Sequence, residues 1–66
     1  MTVNVNNQTQ SVSKNSSVHD LLDELRITAN GIAVAINNTV IGKDYWLETV
    51  LQENDQVIII QATQGG

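Results

Sequence analysis

The sequence predicts an α+β roll: one mixed sheet of four to five strands, one main helix packed on one face and a short helix at the edge. Three observations carry that expectation. Alternating or β-branched apolar runs recur near residues 2–6, 9–12, 32–36, 40–41 and 56–60, the signature of short strands. Only one long stretch shows the helical period, with Val18, Leu21, Leu22 and Leu25 at i, i+3, i+4 and i+7. The chain has 66 residues with neither cysteine nor proline, room for a single core, so one helix has to cover one sheet.

The elements follow in order. Thr2-Val3-Asn4-Val5-Asn6 alternates, placing Val3 and Val5 on one face of a half-buried strand. Asn6-Asn7-Gln8 is turn chemistry, because asparagine tolerates left-handed backbone angles. Thr9 to Val12 returns as a weaker strand and completes a hairpin. Lys14 to Ser17 breaks the pattern and leads into the helix, with Ser17 as N-cap and Asp20 in the place of the capping-box acid. Asn30-Gly31 supplies the helix stop or the loop that follows it. Ile32-Ala33-Val34-Ala35-Ile36 is apolar on both faces and reads as an inner strand, its alanines letting something approach one side. Asn37-Asn38-Thr39 turns the chain into a short strand, Val40-Ile41, ended by Gly42. From Lys43 to Leu51, the spacing of Trp46, Leu47, Val50 and Leu51 predicts one or two helical turns covering an edge of the core, with Trp46 as a packing anchor. Glu53-Asn54-Asp55 turns the chain into the last strand. The first and last strands are the best candidates for a parallel central pair.

Composition narrows the function. Without cysteine, and with a single histidine, the chain can build neither a thiolate centre nor a His-rich metal site. Three basic against seven acidic residues give a net charge of −4, which disfavours nucleic acid and anionic membranes and favours a protein partner with a basic groove. No apolar run approaches the roughly 18 residues of a membrane span, and no secretory leader pattern precedes Val3, so a cytoplasmic protein is expected. Asp20, Asp23 and Glu24 read as a solvated helix face favoured by the positive helix N-terminus rather than as a catalytic cluster. His19 has no nucleophile placed beside it by sequence.

The C-terminal stretch organises the chain. Val57-Ile58-Ile59-Ile60 is the most hydrophobic strand, and both its faces are apolar although one helix can cover only one of them. An uncovered pair of side chains there reads as a docking surface. The sequence then turns polar and closes on Gly65-Gly66. Two glycines keep an arm thin enough to enter a slot that a Cβ would block, and the arm carries the α-carboxylate of Gly66. The expected organisation is a domain over residues 1–62 and a flexible Gly-Gly tail over 63–66.

Several motifs together resemble the ThiS family of ubiquitin-like sulfur carriers. They are the strand pair at the start, Val18-His19-Asp20-Leu21-Leu22, Ala33-Val34-Ala35-Ile36-Asn37, Trp46, and Asn54-Asp55-Gln56-Val57 ahead of Gly65-Gly66. The resemblance covers the whole chain and implies a β-grasp fold. The chain departs from the family's pattern at Gly42-Lys43, where Pro-Arg is common, and a lysine cannot make an arginine's bidentate contacts. The related small subunit of molybdopterin synthase usually carries proline before its Gly-Gly, and the absence of proline here favours the thiamine branch.

The resemblance implies that Gly66 is adenylated and then carries sulfur as a thiocarboxylate for thiazole formation in thiamine biosynthesis, with Gly65 and Gln64 forming the slender tail. It implies Ile58, Ile60 and Ala62 as the partner-binding surface. No residue acts as a catalyst, so the chain is a co-substrate rather than an enzyme. It binds no cofactor or metal itself; ATP and Mg²⁺ are used by the activating partner, an E1-like adenylating enzyme of the ThiF type. The other implied partners are a ThiG-type thiazole synthase and a sulfur donor system fed by a cysteine desulfurase. Three alternatives stay open on the sequence: a sulfur carrier of another pathway (molybdopterin, cysteine or RNA thiolation), a ubiquitin-like protein modifier, and a non-catalytic interaction module.

Overall fold

Asparagine shapes the turns that set the strand pairing in the computed structural model, which describes residues 1–28 and 30–61. Strands β1 (Thr2–Val5) and β2 (Gln8–Ser11) pair antiparallel across Asn6-Asn7, whose φ angles are 50° and 68°. Strands β3 (Ile32–Ile36) and β4 (Thr39–Ile41) pair across Asn37-Asn38, with φ of 50° and 72°. Two consecutive positive φ angles define the type I′ turn, whose twist matches that of the strands it joins. The side chain best suited to those angles, apart from glycine, is asparagine.

Strand β5 (Gln56–Gln61) completes a five-stranded sheet in the order β2-β1-β5-β3-β4. It runs parallel to β1 and antiparallel to β3, so the expected parallel pairing of first and last strands holds, and β5 is the middle strand. Alternation along the strands then sorts the side chains. Val3, Val5, Val34, Ile36, Val57 and Ile59 all face inward and are buried.

The helix α1 (Val18–Glu24) supplies the other half of the core through Val18, Leu21 and Leu22, with Leu25 half-buried at its end. Its start is fully satisfied. The Ser17 N–H donates to Asp20 Oδ2 at 3.0 Å and the Asp20 N–H to Ser17 Oγ at 3.1 Å, the expected capping box. The Val18 N–H donates to the Thr49 carbonyl and the His19 N–H to that of Trp46. The helix stops earlier than Asn30-Gly31. Arg26 takes a φ of 59°, the Ile27 N–H donates to the Leu22 carbonyl, and the Arg26 N–H donates to that of Asp23. That is a Schellman motif with arginine where glycine is usual. Asn30-Gly31 belongs to the loop ahead of β3, with Gly31 at a φ of 71°.

The expected short helix between Lys43 and Leu51 is reduced to one 3-10 turn, Lys43–Tyr45. Trp46 and Leu51 are in the core, as their spacing predicts, and Trp46 Nε1 donates to the Ile41 carbonyl at 2.9 Å. Leu47 and Val50 are exposed instead. The cause is backbone competition. Residues 49–51 extend alongside the start of α1, with the Leu51 N–H donating to the Ser16 carbonyl and a bridge between Ser17 and Val50. That pairing satisfies helix N-terminal donors which a continued helix would leave orphaned. Among the described residues, no helix is long and apolar enough to cross a membrane.

Candidate functional site

The open face of the sheet lies opposite α1 and carries the outward side of β5, the last described strand. Its register is fixed by the pairing of β5 with β3. Ile58 lies opposite Ala35, which in turn lies opposite Val40, and Ile60 lies opposite Ala33. The alanines are short, so the two isoleucines stand above them. Ile58 is 37% exposed and Ile60 58%, against 0% for Val57 and 8% for Ile59. The outward parity expected for Ile58 and Ile60 is the observed one. Val40, 74% exposed, extends the apolar row to the edge strand.

The polar residues that the register adds to this face are Thr2, Asn4, Thr9, Ser11 and Gln56, and none is charged. The acidic residues of α1 lie on the exposed side of the helix. The register thus adds no charged strand residue to the rows that hold Ile58 and Ile60. A surface complementary to these strand residues would be apolar with a neutral polar rim.

Two asparagine side chains clamp β5. At its start, Asn37 Oδ1 accepts from the Gln56 N–H at 3.0 Å, while Asn37 Nδ2 donates to Asp55 Oδ1 at 3.0 Å. Asp55 is buried, and its other oxygen accepts from the Gln52 N–H at 2.8 Å. The carboxylate is thus taken out of water only where donors replace it. Farther along, Asn6 Oδ1 accepts from the Ile59 N–H at 2.8 Å and Asn6 Nδ2 donates to the Ile59 carbonyl at 3.2 Å. The sequence alone assigns neither Asn6 nor Asn37 a side-chain role toward β5. The signal available was their shared place, first in an Asn-Asn pair between two strands, where a turn consumes the backbone and leaves the amide free.

Gln61, opposite Ile32, is the last described residue of β5. Ala62, Gln64, Gly65 and Gly66, and with them the expected tail over 63–66, lie outside the described residues. The remaining polar candidates stay apart from β5's open face. His19 Nδ1 lies 3.8 Å from Asp23 Oδ2 on the exposed surface of α1, beside a shallow cleft that reaches Arg26 and Trp46. The carboxyl of Asp20 is held below its ordinary range, first by the Ser17 backbone N–H and then by the Ser17 hydroxyl. Its role is that of a helix cap.

Comparison with known proteins covers the chain from end to end. The profile of the ThiS family matches residues 2–66. The sulfur carrier protein ThiS of Escherichia coli (strain K12) is 30% identical over 66 residues, all of both chains. The crystal structure of a thiamine biosynthesis protein (ThiS) from Geobacter metallireducens superposes with a TM-score of 0.86 at 25% identity, covering 100% of each chain. A solution structure of a thiamine biosynthesis protein from that organism has the same fold, with a TM-score of 0.80 at 23% identity over 100% of this chain and 88% of its own. The five-stranded mixed sheet and its helix are accordingly a β-grasp.

Proposed function

The chain belongs to the ThiS family, and on that premise we propose that it is a sulfur carrier whose Gly66 carboxylate is adenylated, converted to a thiocarboxylate and used for thiazole formation in thiamine biosynthesis. The observation that carries this reading is the match to a sulfur carrier over the full length of both chains, running through Gly65-Gly66.

The chemistry asks little of the carrier beyond presentation. A carboxylate at neutral pH is a poor acyl donor. In the reading, a carboxylate oxygen of Gly66 attacks the α-phosphorus of ATP on a ThiF-type adenylating enzyme, with Mg²⁺, and pyrophosphate leaves. Persulfide sulfur from a cysteine desulfurase system, reduced to the sulfide level by a thiol that is oxidised to a disulfide, adds to the activated carbonyl and expels AMP. The resulting thiocarboxylate is the sulfur source for a ThiG-type thiazole synthase. The carrier is consumed and recharged, and its own residues supply docking and reach.

Docking is assigned to Ile58, Ile60 and Ala62. Full burial of an isoleucine contributes about 1.5–3 kcal/mol, which offsets the roughly 1–2 kcal/mol cost of ordering each tail residue. The neutral surroundings of these side chains suit an apolar partner surface. Tail length then sets where the reacting carbon lies. One residue more or fewer moves it by about 3.5 Å, as large as the roughly 3–3.5 Å separation of a reacting pair. Deleting Gly66, or adding one alanine after it, is expected to abolish ATP–pyrophosphate exchange with the adenylating enzyme while leaving the melting temperature unchanged. Exchange by the extended chain at the native rate would refute the reading and leave an interaction module whose terminus is inert.

A further inference from the structure

Asn6 does more than turn the first hairpin. Strand β1 ends at Val5, whose partner on β5 is Val57. Hydrogen bonding alternates along β5. The Val57 carbonyl accepts from the Asn6 N–H at 2.9 Å, so the polar backbone groups of Ile59 also face the β1 side, where no further strand residue exists. The Asn6 carboxamide fills that gap, holding the Ile59 N–H at 2.8 Å and the Ile59 carbonyl at 3.2 Å. One planar amide thereby replaces a missing strand residue. Past Ile59 the pairing continues with β3 alone, Ile60 opposite Ala33 and Gln61 opposite Ile32. Ile59 is thus the last residue of β5 for which the structure shows support from both sides.

We infer that Asn6 is a positioning residue for the C-terminal arm, fixing the direction in which the chain leaves the docked sheet; the inference rests on the sulfur-carrier reading. Its leverage follows from chain length. Beyond Gln61, the last residue paired with β3, five residues lead to Gly66 and span at most about 16–18 Å at roughly 3.3–3.6 Å each. A change of about 10° in the direction in which β5 ends moves the far end of such an arm by about 3 Å, comparable to the roughly 3–3.5 Å within which a reacting pair must sit. Asparagine is suited to both tasks at once. Its backbone accepts the φ of 50°, and its side chain presents one donor and one acceptor in a plane. Aspartate keeps the acceptor but sets a second oxygen against the Ile59 carbonyl. Glycine keeps the turn and loses the clamp.

Glycine therefore separates the two roles. Asn6→Gly tolerates the positive φ and deletes both side-chain hydrogen bonds. Asn7→Gly, at a φ of 68°, changes the same turn and spares the clamp. Each is assayed by ATP–pyrophosphate exchange with the ThiF-type enzyme of the same organism, well below its melting temperature, with amide hydrogen exchange read in parallel. For Asn6→Gly, kcat is expected to fall about tenfold or more, with KM for the carrier held because Ile58 and Ile60 are untouched. Exchange at the Ile59 amide accelerates in Asn6→Gly, and Asn7→Gly behaves as the native chain. If Asn6→Gly does not fold, Asn6→Asp carries the test with the same split of kcat from KM. A native kcat in the clamp-deficient variant overturns the role of Asn6 and leaves the sulfur-carrier reading standing. A native chain that is never adenylated overturns that reading, and this inference with it.

Discussion

Placing a carboxylate at residue 60 tests the division of β5 into two faces. Ile60 is 58% exposed, whereas Ile59, its neighbour, is 8% exposed. Scaling the roughly 1.5–3 kcal/mol of a fully buried isoleucine by that 58% leaves about 0.9–1.7 kcal/mol for a partner to gain at Ile60. Ile60→Asp loses this gain and adds the cost of desolvating a charge in an apolar interface, several kcal/mol in the absence of a counter-ion. Binding to the adenylating enzyme should weaken by about 100-fold or more, since each 1.4 kcal/mol is roughly tenfold. Folding should lose only about 1 kcal/mol of strand preference. Ile59→Asp buries the same charge in the core and should unfold the domain. Thermal melts followed by circular dichroism, with calorimetric titration of the folded variant, separate these outcomes. Equal melting temperatures for the two variants would refute the assignment of faces. A folded Ile60→Asp that binds like the native chain would refute the docking surface.

Other substitutions test the frame that presents β5. Leu22→Ala removes a buried helix side chain and should cost about 2–5 kcal/mol, against about 0.5 kcal/mol or less for the exposed Glu24→Ala; denaturant melts that coincide would sink the helix register. Arg26→Gly relieves a non-glycine residue at a φ of 59° and should raise stability by about 0.5–1 kcal/mol, read as a higher denaturant midpoint at unchanged slope. The depressed Asp20 carboxyl links the cap to pH. Because its folded pKa lies below its unfolded one, the cap's contribution is fully present above about 3.9 and is lost as pH falls through the lower folded value. The difference in melting temperature between native and Asp20→Ala should therefore be constant near neutrality and shrink in strong acid, and a gap that persists there contradicts the linkage.

Elements defined by local chemistry were legible in the sequence. The Ser17-Asp20 capping box, both Asn-Asn turns, the inner strand Ile32–Ile36 and the apolar helix stripe each follow from residues close together in the chain. The outward parity of Ile58 and Ile60 was legible only through the family resemblance, because four consecutive aliphatics carry no alternation of their own. Leu47 and Val50 misled because their spacing is helical while their backbone is engaged elsewhere. Ser16 to Val18 offered hydrogen-bond partners more than thirty residues away, and no local pattern announces such a pairing. Asn30-Gly31 is the loop after the helix rather than its stop, and the stop itself had no cue in composition, because Arg26 takes an angle that usually marks glycine. The partners of the Asn6 and Asn37 clamps were not legible, because only the fold brings those residues together.

The most direct test of the carrier account is the intact mass of the native chain after incubation with ATP, Mg²⁺, its adenylating enzyme and a sulfur source. The account predicts a gain equal to sulfur minus oxygen, mapping to Gly66. An unchanged mass under conditions in which the enzyme binds the chain, or a covalent adduct joining Gly66 to a lysine of another protein, would contradict it.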